Sequence, residues 1–276
     1  METITELLSY TFIRRALLVG AIVSLCAALL GVTLVLKRFS MIGHGLSHVG
    51  FGALCIALAL NVAPLKVSIP IVVVSAFFLL RINENSKIKG DAAIALFAST
   101  SMAFGIIITS MTKGLNTDVS SYMFGSILAM DRSDVVLSVV LSVIVISIYI
   151  IFYNVIFSVT FDENFARATG TKVGFFNTMI ALLTAITIVV GMRIMGTLLV
   201  SSLIIFPALT SMRVFKSFKK VVISAAVVSV FCFFMGIVAS FVFSTPAGAS
   251  IVAVNALTLF AFSAVGFVLK KTSKKA

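Results

Sequence analysis

The sequence predicts an all-α fold: a polytopic transmembrane helical bundle of about eight to nine spans, with one short helix at the cytoplasmic surface. Three observations predict it. Of 276 residues, 61% are hydrophobic and only 11% are charged, whereas a soluble domain carries about 25% charged residues. Mean hydropathy is +1.22. Apolar runs long enough to cross a ~30 Å hydrocarbon core recur from end to end, separated by short basic links. No long hydrophilic stretch leaves room for a separate catalytic domain, so residues 1–276 read as a single integral-membrane domain.

In chain order the runs are Phe12–Leu36, Ile42–Leu60, Leu65–Leu80, Ala92–Met111, Val135–Phe157, Phe175–Met192, Ile194–Met212, Val221–Phe243 and Ser250–Leu269. Val119–Met130 is apolar but too short to cross alone, and reads as a re-entrant piece buried in protein. The net charge of +12 first suggests a nucleic-acid partner. Its distribution argues against one. With the N-terminus outside, alternating spans put Lys37, Arg38, Arg81, Lys87, Lys89, Arg167, Lys172, Arg213, Lys216, Lys219, Lys220 and the four C-terminal lysines on the inner side. Arg14, Arg15, Lys66, Lys113, Arg132 and Arg193 remain. This is the positive-inside pattern, and it points to membrane lipid rather than nucleic acid. Cys26, Cys55 and Cys232 lie singly in apolar runs and read as small hydrophobic filler.

The link from Thr160 to Lys172 reads as a short capped helix on the cytoplasmic surface. Asp162 suits the N-cap, Glu163 suits the positive end of the helix dipole, and Gly170 suits the left-handed residue that closes it.

The protein has two histidines, His44 and His48. Their spacing of four stacks both imidazoles on one helix face. At 1.5 Å per residue they lie roughly 9 and 15 Å beyond Arg38, which puts His48 near the bilayer midplane. Imidazole is a ligand for zinc and its neighbours, and polar side chains at such depth are expensive. Metal contact and hydrogen bonding to neighbouring helices both remain open on this ground. Gly43, Gly45, Gly50 and Gly52 permit either close helix approach or local unwinding. Met192 and Met195 read as core packing, and Asn177 and Asn255 as interhelical hydrogen bonders.

Several blocks, in order, resemble the membrane subunit of the zinc/manganese/iron ABC importer family. Leu36-Lys37-Arg38-Phe39-Ser40-Met41-Ile42-Gly43-His44-Gly45-Leu46-Ser47-His48-Val49 is similar to L-[KR]-R-x-x-x-I-G-D-x-L-S-H-A. Asp91–Phe97 resembles the start of the family's fourth span, and Asp118–Leu128 its "syLFGxiL" block. Phe161–Gly170 resembles the "D-x-x-x-A-x-x-x-G" cytoplasmic loop. Gly196–Ala208 and Thr245–Ala249 resemble the "vG-xx-L-xxx-l-l-i-x-P-A" and "l-P-x-G-x" blocks.

The resemblance implies a permease of a bacterial plasma membrane that imports a divalent metal ion by alternating access. It implies a cytoplasmic ABC ATPase dimer, an extracytoplasmic metal-binding protein and a second permease copy as partners. The short helix becomes a coupling helix, with Asp162, Glu163, Ala166, Arg167 and Gly170 its contacts to the ATPase. His44 and His48 become metal contacts, with no permanently bound cofactor. The family's usual aspartate is replaced here by His44. An all-nitrogen pair favours zinc over manganese, which prefers oxygen; manganese or iron stays possible. No G-x-x-x-x-G-K-[ST] loop exists, so ATP hydrolysis belongs to a partner and the chain is not itself an enzyme.

The competing readings are a metal-chelate or cobalamin ABC permease, a secondary metal transporter, and an intramembrane metalloprotease. The second lacks intramembrane acids for ion coupling. The third lacks the glutamate of H-E-x-x-H, since Gly45 follows His44.

Overall fold

The computed structural model describes residues 11–85, 90–112 and 132–273. The expected re-entrant piece, Val119–Met130, and the block Asp118–Leu128 lie outside the described residues. Eleven helices occur among the described residues. They are α1 (Thr11–Leu36), α2 (Ser40–Ala59), α3 (Pro64–Asn85), α4 (Gly90–Met111), α5 (Arg132–Ile151), α6 (Tyr153–Phe161), α7 (Glu163–Ala168), α8 (Val173–Met195), α9 (Thr197–Val214), α10 (Phe218–Phe243) and α11 (Ala247–Ser273). Nine are long and apolar enough to cross a membrane, all but α6 and α7. Helices satisfy every backbone group internally, which a lipid environment demands.

The span expected at Val135–Phe157 is bent rather than continuous. It divides into α5 and α6 at Phe152. The Phe152 N–H still donates to Ile148 O at 3.0 Å, and Phe152 O accepts from Ile156 N at 2.8 Å. No proline or glycine marks this interruption, so the apolar run passes through it unmarked. The break expected beside Arg193 falls instead at Gly196, the single residue between α8 and α9. Its φ of 82° and ψ of 163° belong to a region open essentially to glycine alone.

Helices α1, α2, α8 and α9 make up most of the interior. Helices α4, α5 and α11 lie outside and turn apolar side chains outward, among them Phe104, Ile150 and Phe260. Lipid tails are as apolar as leucine, so helix association rests on close packing and polar contacts rather than on hydrophobic burial. Ser229 Oγ donates to Ser24 O at 2.9 Å, tying α10 to α1, and Thr33 Oγ1 lies 3.3 Å from Tyr149 Oη, tying α1 to α5. Cys26, Cys55 and Cys232 are all buried and unpaired. Asn255 departs from the expected interhelical role: its amide donates to Ile251 O of its own helix at 2.9 Å.

Close approach also explains the glycines of α2, which stays helical throughout Ser40–Ala59. A Cβ at Gly52 would stand 2.6 Å from Ser101 O of α4, and one at Gly105 would stand 3.0 Å from the Gly52 Cα. The two backbones therefore touch where neither carries a side chain.

Candidate functional site

Helix α2 positions both histidines. It starts directly after the link Lys37–Phe39, where Arg38 takes φ 60°, and it packs closely on α4 through its glycines. The His44 and His48 rings lie 4.7 Å apart between centroids, at 83° to one another. His44 is exposed and His48 half-buried. Both line a cavity of about 180 Å³ whose other walls are Met41, Ile94, Ala95, Ala98, Ser99 and Met102. Stacking at one turn's separation lets two ring nitrogens reach one ion. Among the described residues no cluster of three or more histidine, cysteine or acidic side chains occurs. The walls hold two thioethers and one hydroxyl and no carboxylate. Met192 and Met195 are buried in the apolar interior.

Gly45 leaves no room for a side chain beside this cavity. A Cβ there would stand 2.4 Å from Ile94 Cγ2. The position that a metalloprotease would give to its general base is therefore closed by protein.

The second feature sits at the end of the bundle that carries Lys37 and α7. Asp162 caps α7: its Oδ1 accepts from Asn164 N at 3.0 Å and from Phe165 N at 2.9 Å. Gly170, at φ 85°, closes the helix, with its N–H bonded to Arg167 O and the Thr171 N–H bonded to Ala166 O. Ala166 is fully buried against Val159 and Val173, so it seats the helix on the bundle. Arg167 faces out, as do Phe161 and Phe165, the latter 61% exposed. These two exposed phenylalanines, Phe161 also packing against Phe157 and Phe218, are not singled out by the apolar pattern of the sequence.

Glu163 turns inward. Its Oε1 lies 2.6 Å from Lys37 Nζ, and Lys37 also donates to Asn177 Oδ1 at 2.6 Å and Val159 O at 3.2 Å. Asn177 Nδ2 donates to Glu163 Oε1 at 3.3 Å. Burial alone would push the Glu163 carboxyl up. The Lys37 hydrogen bond and charge, with Asn177 and Arg167, more than offset this and hold it below its ordinary value. Lys37, expected on the inner side from the charge pattern, and Glu163, expected in the first turn of the short surface helix, meet here. Toward the other end of α8, Arg193 pairs with Asp134 of α5 at 2.5 Å.

With this geometry in view, the sequence was compared with known proteins. The pattern of the ABC 3 transport family matches residues 9–266. The chain belongs to the ABC 3 transport family. Among relatives of this ABC permease is "Manganese import system permease protein ScaB" of Streptococcus gordonii, 28% identical over 93% of this chain and 92% of its own length. "High-affinity zinc uptake system membrane protein ZnuB" of Haemophilus influenzae is 27% identical over 90% of this chain and 95% of its own. "Chelated iron transport system membrane protein YfeD" of Yersinia pestis is 27% identical, covering 92% and 85%. A solved structure, "PsaBC from Streptococcus pneumoniae in complex with Fab", superimposes with a TM-score of 0.84 at 26% identity, covering 95% of this chain and 94% of that one. This ABC permease is thus a multi-pass membrane protein of a metal-transport family. Its relatives are named for manganese, zinc and iron at nearly equal identity, so likeness alone does not choose the metal.

Proposed function

We propose that this permease carries a divalent transition-metal ion, zinc in preference to manganese or iron, into a bacterial cell across the plasma membrane. His44 and His48 contact the ion in transit. A separate cytoplasmic ABC ATPase dimer drives the cycle, an extracytoplasmic metal-binding protein supplies the ion, and a second copy of the permease completes the pathway. The chain contributes no catalysis of its own.

The observation that carries the reading is the pair of imidazoles facing one cavity on a membrane-spanning helix of an ABC permease. Nitrogen donors flanked by thioether sulfur favour zinc and softer ions, while manganese prefers oxygen-rich shells. Two ligands leave a zinc shell incomplete. Water, a backbone carbonyl or the second copy supplies the rest, and a weak shell suits an ion that must leave again. His44 is exposed on a span; a second copy that encloses a wet pathway would spare it contact with lipid. The exposed Phe161 and Phe165 beside Arg167 would give the ATPase an apolar knob with a basic rim.

The test is metal accumulation in cells stripped of their own zinc and manganese importers. The permease is expressed with its ATPase and binding protein, as wild type, His44→Ala and His48→Ala, at equal membrane levels. The expected result is zinc uptake that needs ATPase activity and falls about tenfold or more in each variant. Uptake that survives both changes would reduce the histidines to packing. No metal uptake by the wild-type set would favour a chelate or cobalamin cargo.

A further inference from the structure

We infer that Lys37 is the positioning residue that links the cytoplasmic helix α7 to the histidine helix α2, so that movement of one is felt by the other. The inference rests on the permease reading above.

Lys37 stands in the three-residue link between α1 and α2. That link is tight. Lys37 N donates to Thr33 O at 3.0 Å, Phe39 N donates to Leu34 O at 2.7 Å, and Arg38 is left-handed. The Lys37 backbone therefore cannot shift without moving the start of α2, four residues before His44. The Lys37 ammonium also lies 5.5 Å from the ring centre of Phe39, the residue that opens α2.

The other end of the side chain is held as firmly. Only 3% of it is exposed. An ammonium has three protons to donate. Lys37 has three acceptors within reach: Glu163 of α7, Asn177 of α8 and the Val159 carbonyl of α6. These are α7 and the helices on either side of it. Bonds to charged groups are short and strong, and removing Glu163 would strand the buried Lys37 ammonium. The cluster therefore moves as a unit. Glu163 follows α7, and α7 is held to its neighbours by the packing of Ala166 with Val159 and Val173 and by this charge cluster. A push on α7 consequently reaches the first turn of α2 through one side chain.

An ion pair made by a buried lysine also has a plainer role, holding this end of the bundle together. The two roles separate when transport and hydrolysis are measured on the same sample. The permease is co-purified with its ATPase and reconstituted in proteoliposomes with the binding protein. Zinc uptake and ATP hydrolysis are then followed in wild type, Lys37→Met, Lys37→Arg and the exchange Lys37→Glu with Glu163→Lys. Expected for Lys37→Met is a complex that assembles and hydrolyses ATP within about twofold of wild type while moving about tenfold fewer ions per ATP. Lys37→Arg, which keeps the charge, and the exchange, which restores the pair, should each recover much of that ratio.

An unchanged ratio of ions to ATP in Lys37→Met would overturn the inference. So would a parallel fall of uptake and hydrolysis, because it would mark a structural role alone. Should Lys37→Met fail to assemble, Lys37→Gln keeps a hydrogen-bonding side chain and removes the charge, and its ratio is judged by the same two outcomes. Absence of uptake in the wild-type complex would instead defeat the permease reading, and the inference would fall with it.

Discussion

At the residue scale, the choice of donor atoms at position 44 governs which ion the site tolerates. A carboxylate there would restore a hard, negatively charged oxygen beside His48. His44→Asp should therefore raise manganese uptake relative to zinc, read as the ratio of the two metals accumulated from an equimolar mixture. An unchanged ratio would mean that selection lies elsewhere. Glu163 offers a second prediction, in pH. Its folded pKa is lowered by Lys37. A carboxyl of this kind stabilises fully above its unfolded pKa, ordinarily 4.5, and loses that contribution as pH falls through the lower folded value. The difference in melting temperature between wild type and Glu163→Gln should hold steady from about pH 8 to 5 and close only in stronger acid. A difference that closes near neutrality would contradict the sign. Such pairings were not legible beforehand. Glu163 suited a helix dipole and Lys37 counted only as one more inner charge, because their meeting depends on residues 126 positions apart.

At the element scale, the contact of α2 with α4 depends on the absence of side chains. Gly52→Val would press a methyl group into the Ser101 carbonyl, and backbone yields little. Overpacking of this sort costs about 1–3 kcal/mol. The measurement is thermal unfolding of the detergent-solubilised protein, with Gly174→Ala as control, since nothing lies within 4 Å of a Cβ there. Equal melting temperatures for the two variants would refute the account. Most elements could be foreseen, because a lipid-crossing helix announces itself in a long apolar run. The interruption at Phe152 could not, since no proline or glycine marks it. Nor could the choice between close packing and unwinding for the glycines of α2, which only the facing backbone decides. The cap at Asp162 was foreseeable because capping is local: donor and acceptor lie within three residues.

At the scale of the whole molecule, charge is kept to the margins of the spans, and the ion pairs sit at opposite ends of α8. Asn177 joins the inner cluster, and Arg193 the outer pair. The two residues are sixteen positions apart, about 24 Å of helix. The residue that follows that helix and its outer pair sets a kinematic limit. Gly196 alone separates α8 from α9, and its backbone torsions leave no slack. Two rods joined at one pivot splay like the legs of a compass and do not slide past each other by a turn. Whatever rearrangement admits and releases cargo, spin labels at Phe175 and Arg213, on the far legs, should change separation between nucleotide-bound and nucleotide-free complexes. Labels flanking the pivot should keep theirs, and a change there without one at the far ends would mean that the hinge is elsewhere.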